Sequence, residues 1–393
     1  MEEAVSQVVK PVNDIVAAAA GFVDELRRRS DEIEAARRLP RDISDRFAHA
    51  GFYRTCIPAA YGGIESPPTQ TAQMIETLAT GDASAGWCAF IGATSGSALA
   101  GIPEAAARSA FPKPETLICG TFAPRGRADR DGSGYRVNGR WQWGSGTQNA
   151  DWVLGGCLLY RDGEIEKTSG GSPRAHMVLV PASDVRFVDT WHVSGLCGTG
   201  STDFELIDVF VPEERVVGYH GQQAPPTPLS AFPQFGLLGL GIAAVTLGIA
   251  RAAIGELVDL AGGKKPTGSR RTLAERASTQ IDVAEGEGLL RSARAFFYEA
   301  IEAAWAEACR TGNLTVEHRR DLRLSNTHAA RTCARVVDLM YNLGGGTSVY
   351  RTSPLQRMFR DVHVATQHMM VATGTMELVG RLLLGLETDV SQL

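Results

Sequence analysis

The sequence lacks most of the features that mark the commoner binding and catalytic classes. It has no excess of basic residues: the formal net charge is −5, and the run Arg27-Arg28-Arg29 is balanced by Asp24, Glu25, Asp31 and Glu32. A solvated helix face accounts for that run, and neither nucleic acid nor an anionic membrane surface is expected as a partner. Cysteines occur singly at 56, 88, 119, 157, 197, 309 and 333, never as Cys-x-x-Cys, which excludes a zinc knuckle and points to a reduced, cytoplasmic protein. Glu2 and Glu3, with no long apolar core behind them, do not read as a signal peptide. The uncharged stretch from Phe235 to Ala250 falls short of the roughly 20 residues a bilayer requires, so a buried helix is expected and no membrane.

Chemical motifs are equally sparse. No Gly-x-Gly-x-x-Gly opens a βαβ unit and no Walker loop occurs, so a nicotinamide site is not expected. Ser145 is not in a Gly-x-Ser-x-Gly elbow, because Trp143 fills the first position. His363 and His368, five residues apart on a predicted helix, would be separated by roughly 140° and cannot easily share a metal. No metal is therefore expected.

What is present is a change of hydrophobic period. From about Pro11 to Ala50 apolar residues such as Ile15, Ala19, Phe22, Val23 and Leu26 recur at helical spacing, and Pro40 and Gly51 bracket a second helix. Thr71 to Ala79 and the small-residue segment Asp82 to Ala100 continue the helices. From Gly120 the period falls to two, with short alternating runs at Tyr135-Val137, Trp152-Leu159, His176-Val180 and Phe204-Val211. After Pro225-Pro226-Thr227-Pro228 the segments Phe235 to Leu260, Thr272 to Arg310, Glu317 to Leu343 and Ser353 to Leu384 are helical again. The expected fold is α+β: an N-terminal helical domain (1–119), a central antiparallel β-barrel or sandwich (120–224) and a C-terminal four-helix bundle (225–393).

Within the β region, Asn138-Gly139 reads as a hairpin turn leading into Arg140-Trp141-Gln142-Trp143-Gly144-Ser145-Gly146. Two residues apart on one strand, Trp143 and Ser145 would share a face and offer an indole and a hydroxyl to a flat aromatic ligand. The alternative is a hairpin with a core tryptophan.

Five separated stretches, in order, resemble the acyl-CoA dehydrogenase superfamily. They are Leu39-Pro40 to Gly51 with Ile57-Pro58 and Tyr61-Gly62-Gly63; Trp143-Gly144-Ser145; Gly195-Leu196-Cys197-Gly198-Thr199-Gly200-Ser201; Arg270-Arg271 with Gln280; and Gly344-Gly345-Gly346 through Arg360-Asp361. The resemblance implies a flavoprotein in which Trp143 and Ser145 contact the flavin ring, Thr199 and Ser201 meet its edge or phosphate, Arg270 or Arg271 reaches the flavin phosphate of a neighbouring subunit, and Thr147 and Gly344, Gly345 and Gly346 are further cofactor-binding residues. It also implies a homotetramer.

The family's dehydrogenases need a carboxylate base against the substrate. Here the aligned position before Gly374-Thr375 is Met369 or a threonine, the first bundle helix holds no acid from Ser230 to Ala250, and Glu377 is offset from either place. His368 is offered instead. The segment Arg360-Asp361-Val362-His363 to His368, with Asp189 to Leu196, resembles the flavin-dependent monooxygenases of this fold, the oxygenase components of two-component hydroxylases. That resemblance implies reduced FMN or FAD delivered by a separate flavin reductase, O2 as co-substrate, reaction through a flavin C4a-hydroperoxide, and catalytic roles for His368 and Ser145. Trp87, Phe90, Thr94, Phe232, Phe235 and His368 would border a mostly apolar, aromatic or polycyclic small molecule. The alternatives are an acyl-CoA dehydrogenase-type oxidoreductase acting on a thioester, and a flavin carrier without catalysis.

Overall fold

The computed structural model describes residues 14–219, 221 and 223–393. The expected helix start at Pro11 lies outside the described residues. The N-terminal helices are α1 (Ile15–Ala20), α2 (Val23–Ala36), α3 (Arg41–His49), α4 (Pro68–Gly81), α5 (Ala83–Ser95) and α6 (Glu104–Ala110). Asp14 caps α1, and Asp82 caps α5 by accepting from the Ala85 amide at 2.9 Å. Pro40 precedes α3, and Gly51, at φ 84°, ends it as expected. Small residues set the helix spacing: a Cβ on Gly86 would lie 2.8 Å from the Ala79 Cβ, and one on Gly248 would lie 2.6 Å from it. Those contacts let α4 pack closely on both α5 and the first bundle helix.

The strands are β1 (Ile118–Asp131), β2 (Gly134–Trp141), β3 (Trp152–Arg161), β4 (Glu164–Ile165), β5 (Ala175–Pro181), β6 (Arg186–Val188), β7 (Asp203–Pro212) and β8 (Val216–Val217). They form one sheet in the order β6-β7-β2-β1-β3-β5-β8, with β4 beside β3. The sheet is mixed, because β1 runs parallel to β3 while the other pairings are antiparallel. The expected Asn138-Gly139 turn is also corrected. Those residues lie inside β2, at a bulge against β7 between Val137 and Gly139, and the chain reverses instead at Gly132, φ 53°. Gly139 is needed for close approach: a Cβ there would meet the Gly126 Cα and the Trp141 ring, each at 2.7 Å. Trp141 is the core tryptophan, stacked on Phe204 at 5.1 Å and donating to the Gly156 carbonyl at 2.7 Å.

The bundle comprises α7 (Gln234–Gly263), α8 (Ala277–Thr311), α9 (Val316–Gly344), α10 (Pro354–Ala365) and α11 (Thr373–Leu383). α7 passes the length and hydropathy test for a membrane span, yet 89% of that window is buried within the fold, so it is the central core helix. α7 and α9 run side by side in the same direction. Arg323 meets the start of α7 at the Phe235 carbonyl, and Lys264, just past its end, meets the Gly344 carbonyl. The last segment departs from expectation: one helix from Ser353 to Leu384 is instead two, broken by a 3₁₀ turn at Met369–Val371. His368 sits in that break.

Candidate active site

Helix α5 and the 196–201 segment converge on Ser145. Trp87 of α5 donates its indole N–H to Ser145 Oγ at 3.1 Å, Ser145 Oγ is 2.6 Å from Ser201 Oγ, and Ser201 Oγ is 2.6 Å from Thr199 Oγ1. Thr199 Oγ1 donates to the Leu196 carbonyl at 2.8 Å. An indole nitrogen can only donate and a carbonyl can only accept. The two ends therefore fix the direction of the whole chain: Trp87 to Ser145, Ser145 to Ser201, Ser201 to Thr199, Thr199 to Leu196. Ser145 is left with one spare lone pair and no spare hydrogen. All four side chains are buried, so the arrangement is sheltered from competing water.

Trp143 does not share Ser145's face, as the strand reading required. β2 ends at Trp141, and the chain then turns, with Trp143 at φ 64° and Gly144 N–H bonded to the Thr202 carbonyl at 3.0 Å. Ser145 points inward while Trp143 is 67% exposed. A left-handed backbone under an exposed indole costs on the order of 1–3 kcal/mol and is retained where the ring has a task. Thr147, also expected to face a cofactor, is turned into the fold and donates to the Gly144 carbonyl at 2.6 Å, holding the turn.

His368 lies across from Trp87, ring centroids 6.0 Å apart. Its Nδ1 accepts from the Met370 amide at 3.2 Å, which leaves the proton of the neutral ring on Nε2. Burial, and then the nearby Arg323 charge, depress its pKa to about 4. The ring is a neutral N–H donor at physiological pH.

The expected substrate residues are mixed. Phe90 is edge-on to Trp87 at 5.4 Å but locked against Gly241, where a Cβ would fall 2.0 Å from its ring. The Thr94 hydroxyl donates to the Phe90 carbonyl at 2.9 Å, within its own helix. Phe232 is buried against Trp305 at 6.1 Å. Phe235 is partly buried at the start of α7.

Arg270, Arg271 and Gly344 to Gly346 form a second group. Lys264 joins it by bonding the Gly344 carbonyl and Thr347 Oγ1, while Arg270 and Arg271 are exposed on the same α7–α8 connection. α7 spans 30 residues, about 45 Å at 1.5 Å per residue, and separates this group from Phe235 and His368. One chain does not bring the two groups onto one small ligand.

Among the described residues no hydrogen bond of the Trp87–Ser145–Ser201–Thr199–His368 cluster goes to a carboxylate, and Glu377 is exposed on α11. Sequence reasoning missed Arg323, which is buried beside His368. Its signal was present: Arg323, Asn326 and Ala330 recur at helical spacing, which places the arginine on the inward stripe of α9.

Helices, mixed sheet and bundle in this order define a class, and the chain belongs to the acyl-CoA dehydrogenase family. The profile of that family's N-terminal domain matches residues 13–107 and that of its C-terminal domain residues 240–373. An indole-3-acetate monooxygenase of Pseudomonas putida is 37% identical over 360 residues, covering 91% of this chain and 90% of that one. The oxygenase component of an FADH2-dependent resorcinol hydroxylase from a Rhizobium species is 30% identical over 399 residues, with 96% of each covered. The crystal structure of the HsaA monooxygenase from M. tuberculosis superposes with a TM-score of 0.87 at 25% identity, covering 97% of this chain and all of that one. Within the family the chain is a flavin-dependent monooxygenase that uses O2, the oxygenase component of a two-component system whose reductase is a separate protein.

The residues present fit a flavin. The exposed Trp143 ring is available for stacking, and the spare lone pair of Ser145 suits the N–H that a flavin carries at N5 only when reduced.

Proposed function

We propose that this oxygenase hydroxylates a small aromatic ring of the indole or phenol kind, in a cytoplasmic homotetramer whose flavin is held jointly by two copies of the chain. The observation carrying the reading is the one-directional chain from Trp87 through Ser145 to Thr199, facing His368 with no acid beside it among the described residues. A dehydrogenase at this place would need a base. A reduced flavin, when bound, delivers two electrons to O2, and ring-H, O2 and the two electrons and two protons give ring-OH, water and oxidised flavin. Ser145 holds the flavin edge as an acceptor, Trp143 walls the ring, and His368 donates its Nε2–H toward the reacting side. Burial of Trp87, Ser145, Thr199 and Ser201 excludes water there. Arg270, Arg271 and the Gly344–Gly346 turn would serve the phosphate end of a neighbour's flavin, which accounts for their distance from Ser145. The cytoplasmic assignment is supported by seven unpaired cysteines.

The test is a single turnover of the full chain with chemically reduced FMN or FAD, O2, and a panel of indoles, phenols and acyl thioesters. Indoles or phenols should gain one oxygen atom. Anaerobic bleaching of oxidised flavin by an acyl thioester, with no oxygenated aromatic product, would refute the reading.

A further inference from the structure

Arg323 is 4% exposed and has no acidic partner among the described residues. Its Nη1 reaches the Met370 carbonyl at 3.1 Å, the Met370 sulfur at 3.4 Å and the Phe235 carbonyl at 3.5 Å, and its Nη2 reaches Thr375 Oγ1 at 3.3 Å. Its Nε–H has no acceptor among the described residues. Every acceptor is neutral, and only the Met370 carbonyl lies within the usual 2.7–3.2 Å range. Burial lowers its pKa with no opposing carboxylate, unlike Arg54, also buried, which feels Glu115.

A buried cation without an anion is among the least favourable arrangements in a fold, and natural proteins pair such groups. Two more buried polar atoms at the start of α7 and its α9 neighbour also lack partners, Gln234 Nε2 and Asn326 Oδ1. Gln234 directly precedes Phe235, and Asn326 lies one turn along α9 from Arg323, bonding the Gly236 carbonyl at 3.3 Å. The Gln234 side chain accepts from Ser97 Oγ at 3.2 Å, and unsatisfied groups at the start of α7 and on the facing turn of α9 mark a polar subsite. The subsite adjoins the catalytic cluster: the Arg323 acceptors Met370 and Thr375 lie on the chain just past His368, and His368 feels the Arg323 charge.

We infer that Arg323 anchors a carboxylate of the substrate, so that the site takes aromatic monocarboxylates in preference to their neutral analogues. This rests on the aromatic-oxygenase reading above. The carboxylate replaces the long contacts to Met370 and Thr375, accepts from the free Nε–H, and gives the Gln234 amide an acceptor. The aromatic ring is thereby oriented with its carboxylate end at the start of α7 and its other end toward His368 and Trp87.

The experiment measures equilibrium binding of indole-3-acetate, indole-3-acetamide and 3-methylindole to the full chain loaded with reduced flavin under anaerobic conditions, followed by oxygen admission and product analysis. A hydrogen-bonded charge pair corresponds to roughly 10- to 100-fold in affinity, so the acid should bind that much more tightly than the amide. Arg323→Met should bring the ratio near one while leaving the amide within about two-fold, and Arg323→Lys should keep part of the preference. Equal binding of acid and amide by the unaltered chain overturns the proposal without relying on any variant to fold. Oxygenation of 3-methylindole with no preference for the acid overturns the anchor while the oxygenase function stands. Preference for the acid with no oxygen transferred to any of the three overturns the function and, with it, the anchor's role in substrate binding.

Discussion

Ser145 is defined less by its position than by which way its hydrogen points. The indole of Trp87 at one end and the Leu196 carbonyl at the other leave its hydroxyl committed to Ser201. Trp87→Phe keeps an aromatic ring and removes the donor, so Ser145 loses one of its two hydrogen bonds and is held only through Ser201. One neutral hydrogen bond is worth about 0.5–1.5 kcal/mol, so product formed per flavin should fall roughly two- to ten-fold, with peroxide rising in step. Ser201→Ala breaks the same chain, and combining it with Trp87→Phe should cost less than the sum of the two. His368 gives a pH signature. Its folded pKa, about 4, lies below its ordinary value, so its contribution to stability is present above about 6.5 and is lost as pH falls through 4. His368→Gln should flatten that acid limb of the melting temperature and weaken oxygenation at pH 7, where the ring is a neutral donor.

Among the elements, helices and strands were legible wherever one period ran unbroken, as along α7 and in the change to strands near Ile118. The misreadings fall where a distant residue decides. Asn138-Gly139 has the chemistry of a turn, but Trp141 and Gly126 press on Gly139 and make it a bulge. The break after α10 was hidden because the apolar pattern continues through Val371 and Leu378. Ser145, Thr199, Ser201 and His368 were nameable from the sequence and do meet around Trp87. The direction of their hydrogen bonds and the isolation of Arg323 depend on tertiary contacts that no local pattern encodes. A further element-level consequence concerns α10, where Asp361 accepts the Leu196 amide at 2.6 Å and Gly195 is so close that a Cβ would lie 2.4 Å from the Arg360 carbonyl oxygen. Burial, with Asp82 and Glu34 adding to it against the Leu196 hydrogen bond and Arg360, raises the Asp361 pKa to about 7. A carboxyl whose folded pKa is raised contributes stability below its unfolded value that is lost as pH rises through 7. This carboxyl should therefore lower the melting temperature as pH rises from about 4 to 7, and Asp361→Asn should remove that contribution.

For the whole molecule, about 45 Å of α7 separates the Ser145 cluster from Arg270, Arg271 and the Gly344–Gly346 turn. If two copies share each flavin, chains carrying Ser145→Ala and chains carrying Arg270→Ala with Arg271→Ala, each impaired alone, should complement when refolded together. Random pairing restores roughly a quarter of the sites. Recovery of none would place the whole site within one chain.

The central claim is that this chain transfers one atom of O2 to an aromatic ring by way of reduced flavin. Its most direct measurement is a single turnover under 18O2 with a chemically reduced flavin and an aromatic substrate, read by mass spectrometry. The account predicts one 18O atom in the ring hydroxyl and the second in water. Product oxygen drawn from solvent, or flavin oxidised wholly to hydrogen peroxide across the indole and phenol panel, would contradict it.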